Sequence, residues 1–131
     1  MKQLVQIAID EIERGFPSQS VDFDDDGDGG AYVQVNDSEF GSQYTPSKGW
    51  VIFHITATYP HADIYGHYVP PELKRVDGQE LGKGFHPVRD MKLGKYEGKA
   101  VFVSRKANHW NPSQDTAALN LCMILDWMTS K

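Results

Sequence analysis

The sequence predicts an α+β domain: an N-terminal helix, an antiparallel β-meander of about four strands, a long loop, and a C-terminal helix on one side of the sheet. Three observations predict it. Apolar residues recur at helical spacing only near the two ends of the chain, in 2–14 and 113–129. The middle carries β-branched and aromatic runs, notably 31–35 and 50–58. Clusters of Gly, Pro, Asp and Ser separate those runs. The 131 residues suit one domain, 1–131, long enough to bury a core.

Each element follows from local chemistry. In 2–14, Leu4, Ile7, Ala8 and Ile12 form an apolar stripe, with Glu11, Glu13 and Arg14 off it. Gly15 suits a left-handed cap, and Pro17 forbids continuation. The stretch from Asp22 to Gly30 reads as an acidic turn, too polar for a core element. Residues 31–35 read as a strand, and 50–58 as the clearest one, stopped at Tyr59-Pro60 because proline donates no ladder bond. A further strand is expected over 64–69, closed by Pro70-Pro71; 72–84 reads as loop and 99–104 as a short extended run. Ser113 is the expected N-cap of the last helix, with Asp115 in its first turn. Ala117, Ala118, Leu121, Ile124, Leu125 and Met128 form its apolar face.

Composition narrows the partners. The net charge of −5 argues against duplex nucleic acid, which requires a basic face. Lys92, Lys95, Lys99, Arg105 and Lys106 nevertheless fall in one region. A lone Cys122 excludes an internal disulfide framework and fits a reducing cytoplasm. Its position between Leu121 and Met123 assigns it to the core or its margin. Residues 1–14 lack the apolar run of a signal peptide, and no segment approaches a membrane span.

The last third holds Phe85-His86-Pro87, then Ser104, then Trp110-Asn111-Pro112, then the helix. That order resembles the catalytic half of the ubiquitin-conjugating (UBC-like) superfamily: a His-Pro-Asn turn, a nucleophilic cysteine, a Trp-x-Pro loop and a closing helix. Tyr59-Pro60 and Tyr68-Val69-Pro70-Pro71 are similar to the Tyr-Pro…Pro-Pro feature of the same superfamily. Val88 stands in place of the asparagine, and no cysteine lies between His86 and Trp110. The departures resemble bacterial members found in small ubiquitin-like conjugation operons.

The resemblance implies a protein that accepts the C-terminal glycine of a ubiquitin-like protein from an activating-type enzyme. No cofactor and no metal are expected. Such chemistry needs a nucleophile, a base and an oxyanion donor. The expected cysteine position falls near Phe102, and Ser104 is the only hydroxyl nucleophile between His86 and Trp110, giving an oxyester instead of a thioester. His86 and His109 are the candidate bases. Val88 donates no hydrogen bond, so Asn108 or His109 is the nearest polar substitute. Arg105 and Lys106 would favour a developing negative charge. His86 also has a purely structural reading, as the residue that holds its loop.

Several alternatives stand beside this one. The same fold serves as a binding module that recruits a ubiquitin-like protein or activating enzyme without chemistry. The motif matches are otherwise accidental, in a small metal-binding or other α+β protein. Asp22-x-Asp24-x-Asp26-Gly27 imitates half of a calcium loop but lacks its closing glutamate, since Val33 stands there. His61 and His67 lack the remaining ligands of a zinc site, and Gly82-x-Gly84 lacks the lysine and hydroxyl of a phosphate loop.

Overall fold

A computed structural model describes residues 1–105 and 110–131. The elements are α1 (Gln3–Gly15), β1 (Val21–Asp25), β2 (Ala31–Glu39), β3 (Tyr44–Thr45), β4 (Lys48–Ile55), β5 (His67–Val69), β6 (Lys74–Arg75), β7 (Arg89–Leu93), β8 (Tyr96–Val103) and α2 (Ala117–Thr129). The main sheet runs β1-β2-β4-β5-β8-β7, with every neighbouring pair antiparallel. β3 and β6 pair separately. The sheet is therefore six-stranded and wider than the expected four. No helix among the described residues is long and apolar enough to cross a membrane.

Alternation explains the inner face. Ala31, Val33 and Val35 of β2, Phe53 and Ile55 of β4, and Val101 and Val103 of β8 are buried together. Against them lie Val5, Ala8, Ile9 and Ile12 of α1, and Leu121, Ile124, Leu125 and Met128 of α2. The stripe on α1 thus differs from the expected one. Leu4 and Ile7 are exposed, because positions 5, 8, 9 and 12 complete the helical repeat that faces the sheet. Gly15 stays inside the helix, which Phe16 closes by donating its N–H to the Ile12 carbonyl at 2.9 Å.

The acidic segment is a strand in its first half. Asp22 accepts from Tyr96 Oη at 2.9 Å and faces Lys95 Nζ at 3.0 Å, and Asp24 accepts from the Lys95 backbone N–H at 2.8 Å. Hydrogen bonding from Lys95 holds the Asp22 carboxyl below its ordinary range, against the opposing effect of burial. These contacts join β1 to the β7–β8 turn, although the two lie toward opposite edges in strand order. The hairpin therefore curls over the outer face and encloses a second cluster, Ile52, Met91, Tyr96 and Ala100. Of the carboxylates that imitate a calcium loop, Asp22 and Asp24 are engaged in these bonds and Asp26 is engaged by His54 and the turn backbone. Among the described residues, no group of three His, Cys, Asp or Glu side chains could hold a metal.

Helix α2 begins later than expected. Thr116, not Ser113, is the N-cap, and its Oγ1 accepts from Leu119 N at 3.1 Å. Ser113 is drawn into a preceding turn, where its N–H and hydroxyl both bond Asn111 Oδ1. Cys122 is exposed, correcting its assignment to the core or its margin. Desolvation by its neighbours, then the Asp126 carboxylate, pushes its thiol up, which disfavours the reactive thiolate.

Two polar side chains are sealed between sheet and helix: His67 of β5 and Asn120 of α2. Neither ring nitrogen of His67 nor Asn120 Oδ1 has a hydrogen-bond partner among the described residues. Burial pulls the His67 imidazole from 6.5 down to about 4, with Asn120 working weakly the other way. The unfolded chain thus binds this proton more tightly. Stability contributed by the neutral ring is full above about pH 6.5 and is lost as pH falls toward about 4. The ceiling of that loss is roughly 3 kcal/mol. His67→Leu should flatten the unfolding free energy between pH 7 and 4 relative to the parent (urea titrations at several pH values). Parallel curves for the two proteins would show that His67 titrates normally.

Candidate functional site

The site starts from a backbone pairing outside the named strands. Phe85 forms an isolated antiparallel bridge with Val103, at the end of β8. His86 N–H donates to the Phe102 carbonyl and Ser104 N–H to the Gly84 carbonyl, both at 2.9 Å. His86 therefore stands opposite Phe102, and Gly84 opposite Ser104. Alternation sends His86 and Ser104 to the same side as diagonal neighbours, within reach of a long side chain. His86 Nε2 lies 2.7 Å from Ser104 Oγ. The imidazole is exposed and the serine half-buried. With the ring proton on Nδ1, the serine hydroxyl donates to Nε2, the arrangement of a base and its nucleophile.

Packing beneath the pair fixes this geometry. The Phe85 ring stacks on Trp127 of α2, with centroids 5.1 Å apart and planes 24° from parallel. Gly84 carries φ +95°, and a Cβ there would sit 2.5 Å from the Trp127 ring. Only glycine satisfies both the backbone and the indole. Phe102 fills the other side, 5.5 Å from the His86 ring, and the Arg89 guanidinium lies 4.1 Å from its centroid. The position where a catalytic thiol was expected is thus an aromatic support for the imidazole.

Two depressions flank the pair. Leu81, Phe85, His86, Pro87 and Glu80 line one of about 460 Å³. Lys83, Gly84, Ser104, Arg105, Trp127 and Lys131 line another of about 280 Å³. Lys131 Nζ lies 4.9 Å and the Arg105 guanidinium 5.9 Å from the Trp127 ring centroid. Ser104 thus opens onto cationic surroundings.

The remaining sequence-predicted positions fall elsewhere. Asn108 and His109, with Lys106, lie outside the described residues. Val88 is exposed and offers no side-chain donor. Trp110 donates Nε1–H to the Pro60 carbonyl at 2.7 Å and packs edge-on to Tyr59, whose hydroxyl accepts from Ala117 N. The Trp-x-Pro corner is therefore held at the N-terminal end of α2, while His86 and Ser104 adjoin Trp127 near the other end. Trp127 lies ten positions after Ala117 along the helix, about 15 Å of rise. The expectation that both corners frame one cleft is corrected accordingly. Lys95 and Lys99 are likewise paired to Asp22 and Asp90, so the sequence-local lysines do not form one free patch. Sequence reading missed Lys83, Gly84 and Lys131; Gly84 two residues before His86 was the available signal.

A second imidazole contact is structural. His54 Nε2 donates to Asp26 Oδ2 at 2.7 Å, and Asp26 also accepts from Asp28 and Gly30 N–H. Burial raises the Asp26 carboxyl, but the His54 bond and the two backbone donors outweigh it and hold it below its ordinary value. This carboxylate ties the β1–β2 turn to β4. His61 is exposed while His67 is buried, so the pair considered for zinc presents no joint face to an ion.

Compared with known proteins, the chain matches no family model, no curated protein and no solved structure.

Gly84→Ala should lower stability by about 1–3 kcal/mol, combining a strained φ with the Trp127 collision. Trp127→Ala in the same chain should relieve part of that cost, giving a non-additive double-mutant cycle by thermal unfolding. A Gly84→Ala protein as stable as its parent would mean that Trp127 does not pin this segment.

Proposed function

We propose that this protein is a noncanonical conjugating-enzyme-like acyl carrier. It takes a ubiquitin-like protein from an activating-type enzyme as an oxyester on Ser104, with His86 as general base. The observation that carries the reading is the 2.7 Å contact between His86 Nε2 and Ser104 Oγ on accessible surface. The substrate class comes from the resemblance of 85–112 to the UBC-like superfamily, including its bacterial members. The order of N-terminal helix, antiparallel strands and C-terminal helix agrees with that resemblance.

The step balances simply. Ser104 Oγ attacks the thioester carbonyl carbon of the activated C-terminal glycine while His86 Nε2 takes the hydroxyl proton. The C–O bond forms, the C–S bond breaks, and the departing thiolate takes that proton from His86. An acceptor amine then attacks the ester carbonyl and gives its proton to His86 Nε2; the C–N bond forms, the C–O bond breaks, and Ser104 Oγ leaves with the proton from His86. The Arg105 guanidinium lies in the depression beside Ser104, where it favours negative charge on the tetrahedral intermediate.

One observation favours a second reading. Trp110 is fixed to Pro60 and Tyr59, so the indole–proline corner does not gate Ser104. A binding module that recruits the ubiquitin-like protein or its activating enzyme needs no gate.

Incubation with activating enzyme, ATP and the ubiquitin-like protein should give a hydroxylamine-sensitive adduct. Ser104→Ala should abolish it, and His86→Gln should slow its formation at least about 100-fold, the lower range for a general base. Non-covalent capture without any adduct would favour the binding module. An adduct that survives Ser104→Ala but disappears in Cys122→Ala would move the chemistry to the thiol.

A further inference from the structure

The depression beside Ser104 carries charge of one sign. Lys83, Arg105 and Lys131 line it with no acidic side chain among the described residues, in a chain whose net charge is −5. None of the three is in a salt bridge among the described residues, whereas Lys48, Arg75, Lys95 and Lys99 each have an acidic partner. Two of the three heads, those of Arg105 and Lys131, are also partly ordered. Lys131 Nζ donates to the Lys83 carbonyl at 3.1 Å, and both Lys131 and Arg105 approach the Trp127 ring. A cation over an indole loses less freedom when it gains a ligand.

The helix end alone does not account for this surplus. Trp127 lies in the last turn of α2, whose pole amounts to about half a negative charge. Three cations exceed that several-fold. The same pole disfavours a phosphate dianion relative to a single carboxylate, and the depression's lining among the described residues includes no helix N-terminus to bind phosphate. The space of about 280 Å³ is continuous with Ser104 and is large enough for one acidic side chain and bridging waters. In an extended peptide each residue advances about 3.3 Å, so a chain ending at Ser104 Oγ places its last few side chains beside these cations.

We infer that this depression is a carboxylate-reading subsite. It takes an Asp or Glu side chain a few residues before the C-terminal glycine that Ser104 acylates, so the cognate ubiquitin-like tail is acidic and not basic. The inference rests on the acyl-carrier reading and adds the substrate's charge. Lys83, Arg105 and Lys131 select the tail; Ser104 and His86 react with it. The ions are exposed, so the selection weakens with salt.

The test uses fluorescein-labelled hexapeptides ending in Gly-Gly, with Glu or Arg at the two preceding positions. Anisotropy is read on Ser104→Ala, which has no nucleophile, in low and physiological salt. The Glu peptide should bind about tenfold tighter than the Arg peptide, the sum of two or three exposed charge pairs. Lys83→Glu combined with Arg105→Glu should erase or invert the preference, with the fold checked by circular dichroism. Equal binding, a preference for Arg, or a preference unmoved by the charge reversals overturns the subsite. So does displacement of the peptide by inorganic phosphate at equal concentration, which would mark a general anion site. Failure of the acyl-carrier reading is distinguishable. An acidic preference on Ser104→Ala, with no adduct on the parent protein, removes the ester and keeps the subsite. An adduct that forms equally fast with acidic and basic tails removes the subsite and keeps the ester.

Discussion

The contact between Trp127 and the Gly84–Phe85 backbone is the constraint on which the site depends. Trp127 stacks on Phe85 from the last turn of α2 and occupies the space that a Cβ at Gly84 would need. The segment can approach β8 only because residue 84 has no side chain. Once Phe85 is paired with Val103, the pleat carries His86 and Ser104 to one side. Energetic scale supports this order of cause. An exposed hydrogen bond contributes only about 1 kcal/mol and cannot organise a loop. Partial burial of the Phe85 side chain contributes roughly 1–2 kcal/mol, and stacking adds about 1 more. The aromatic pair positions the dyad; the dyad does not position itself.

Helix α2 links stability to the site. Its inner face closes the main core, its N-terminal turn anchors Tyr59, and its C-terminal turn carries Trp127. Asn120 on the same helix faces the buried His67, whose protonation the core resists. Acid that loosens the helix from the sheet therefore also releases the support under Gly84 and Phe85. The outer face holds by a different mechanism. There the aspartates of β1 bind the β7–β8 turn, and the hairpin encloses a small apolar cluster without any helix.

Much of the architecture was legible in the sequence. The two helices announce themselves by spacing, and the apolar face of α2 is the one that is buried. The misreadings have physical causes. Leu4 and Ile7 form part of a second, overlapping stripe on α1, and only docking against the sheet chooses between the two. The aspartates of β1 look like a loop because their partners, Lys95 and Tyr96, lie more than seventy residues away. Ser113 and Thr116 are both good caps; the Asn111 turn engages the first and leaves the second to the helix. Ser104 and His86 were recognisable as residue types with the right chemistry, yet their contact spans 18 positions and depends on the register of one β-bridge. Trp110 misled through closeness in sequence: it follows Ser104 by a few residues but is tied to Pro60. The cations at 83, 105 and 131 converge only because α2 returns to the end of β8.

The central claim is that Ser104 is an activated hydroxyl, held against His86 by the aromatic packing below. Labelling with a fluorophosphonate probe, located by peptide mass spectrometry, tests it most directly. The account predicts phosphonylation at Ser104, slowed more than tenfold by His86→Gln, since unassisted serine is a weak nucleophile. A Ser104 that remains unlabelled while the folded protein is intact, or that labels equally fast without the imidazole, would contradict it.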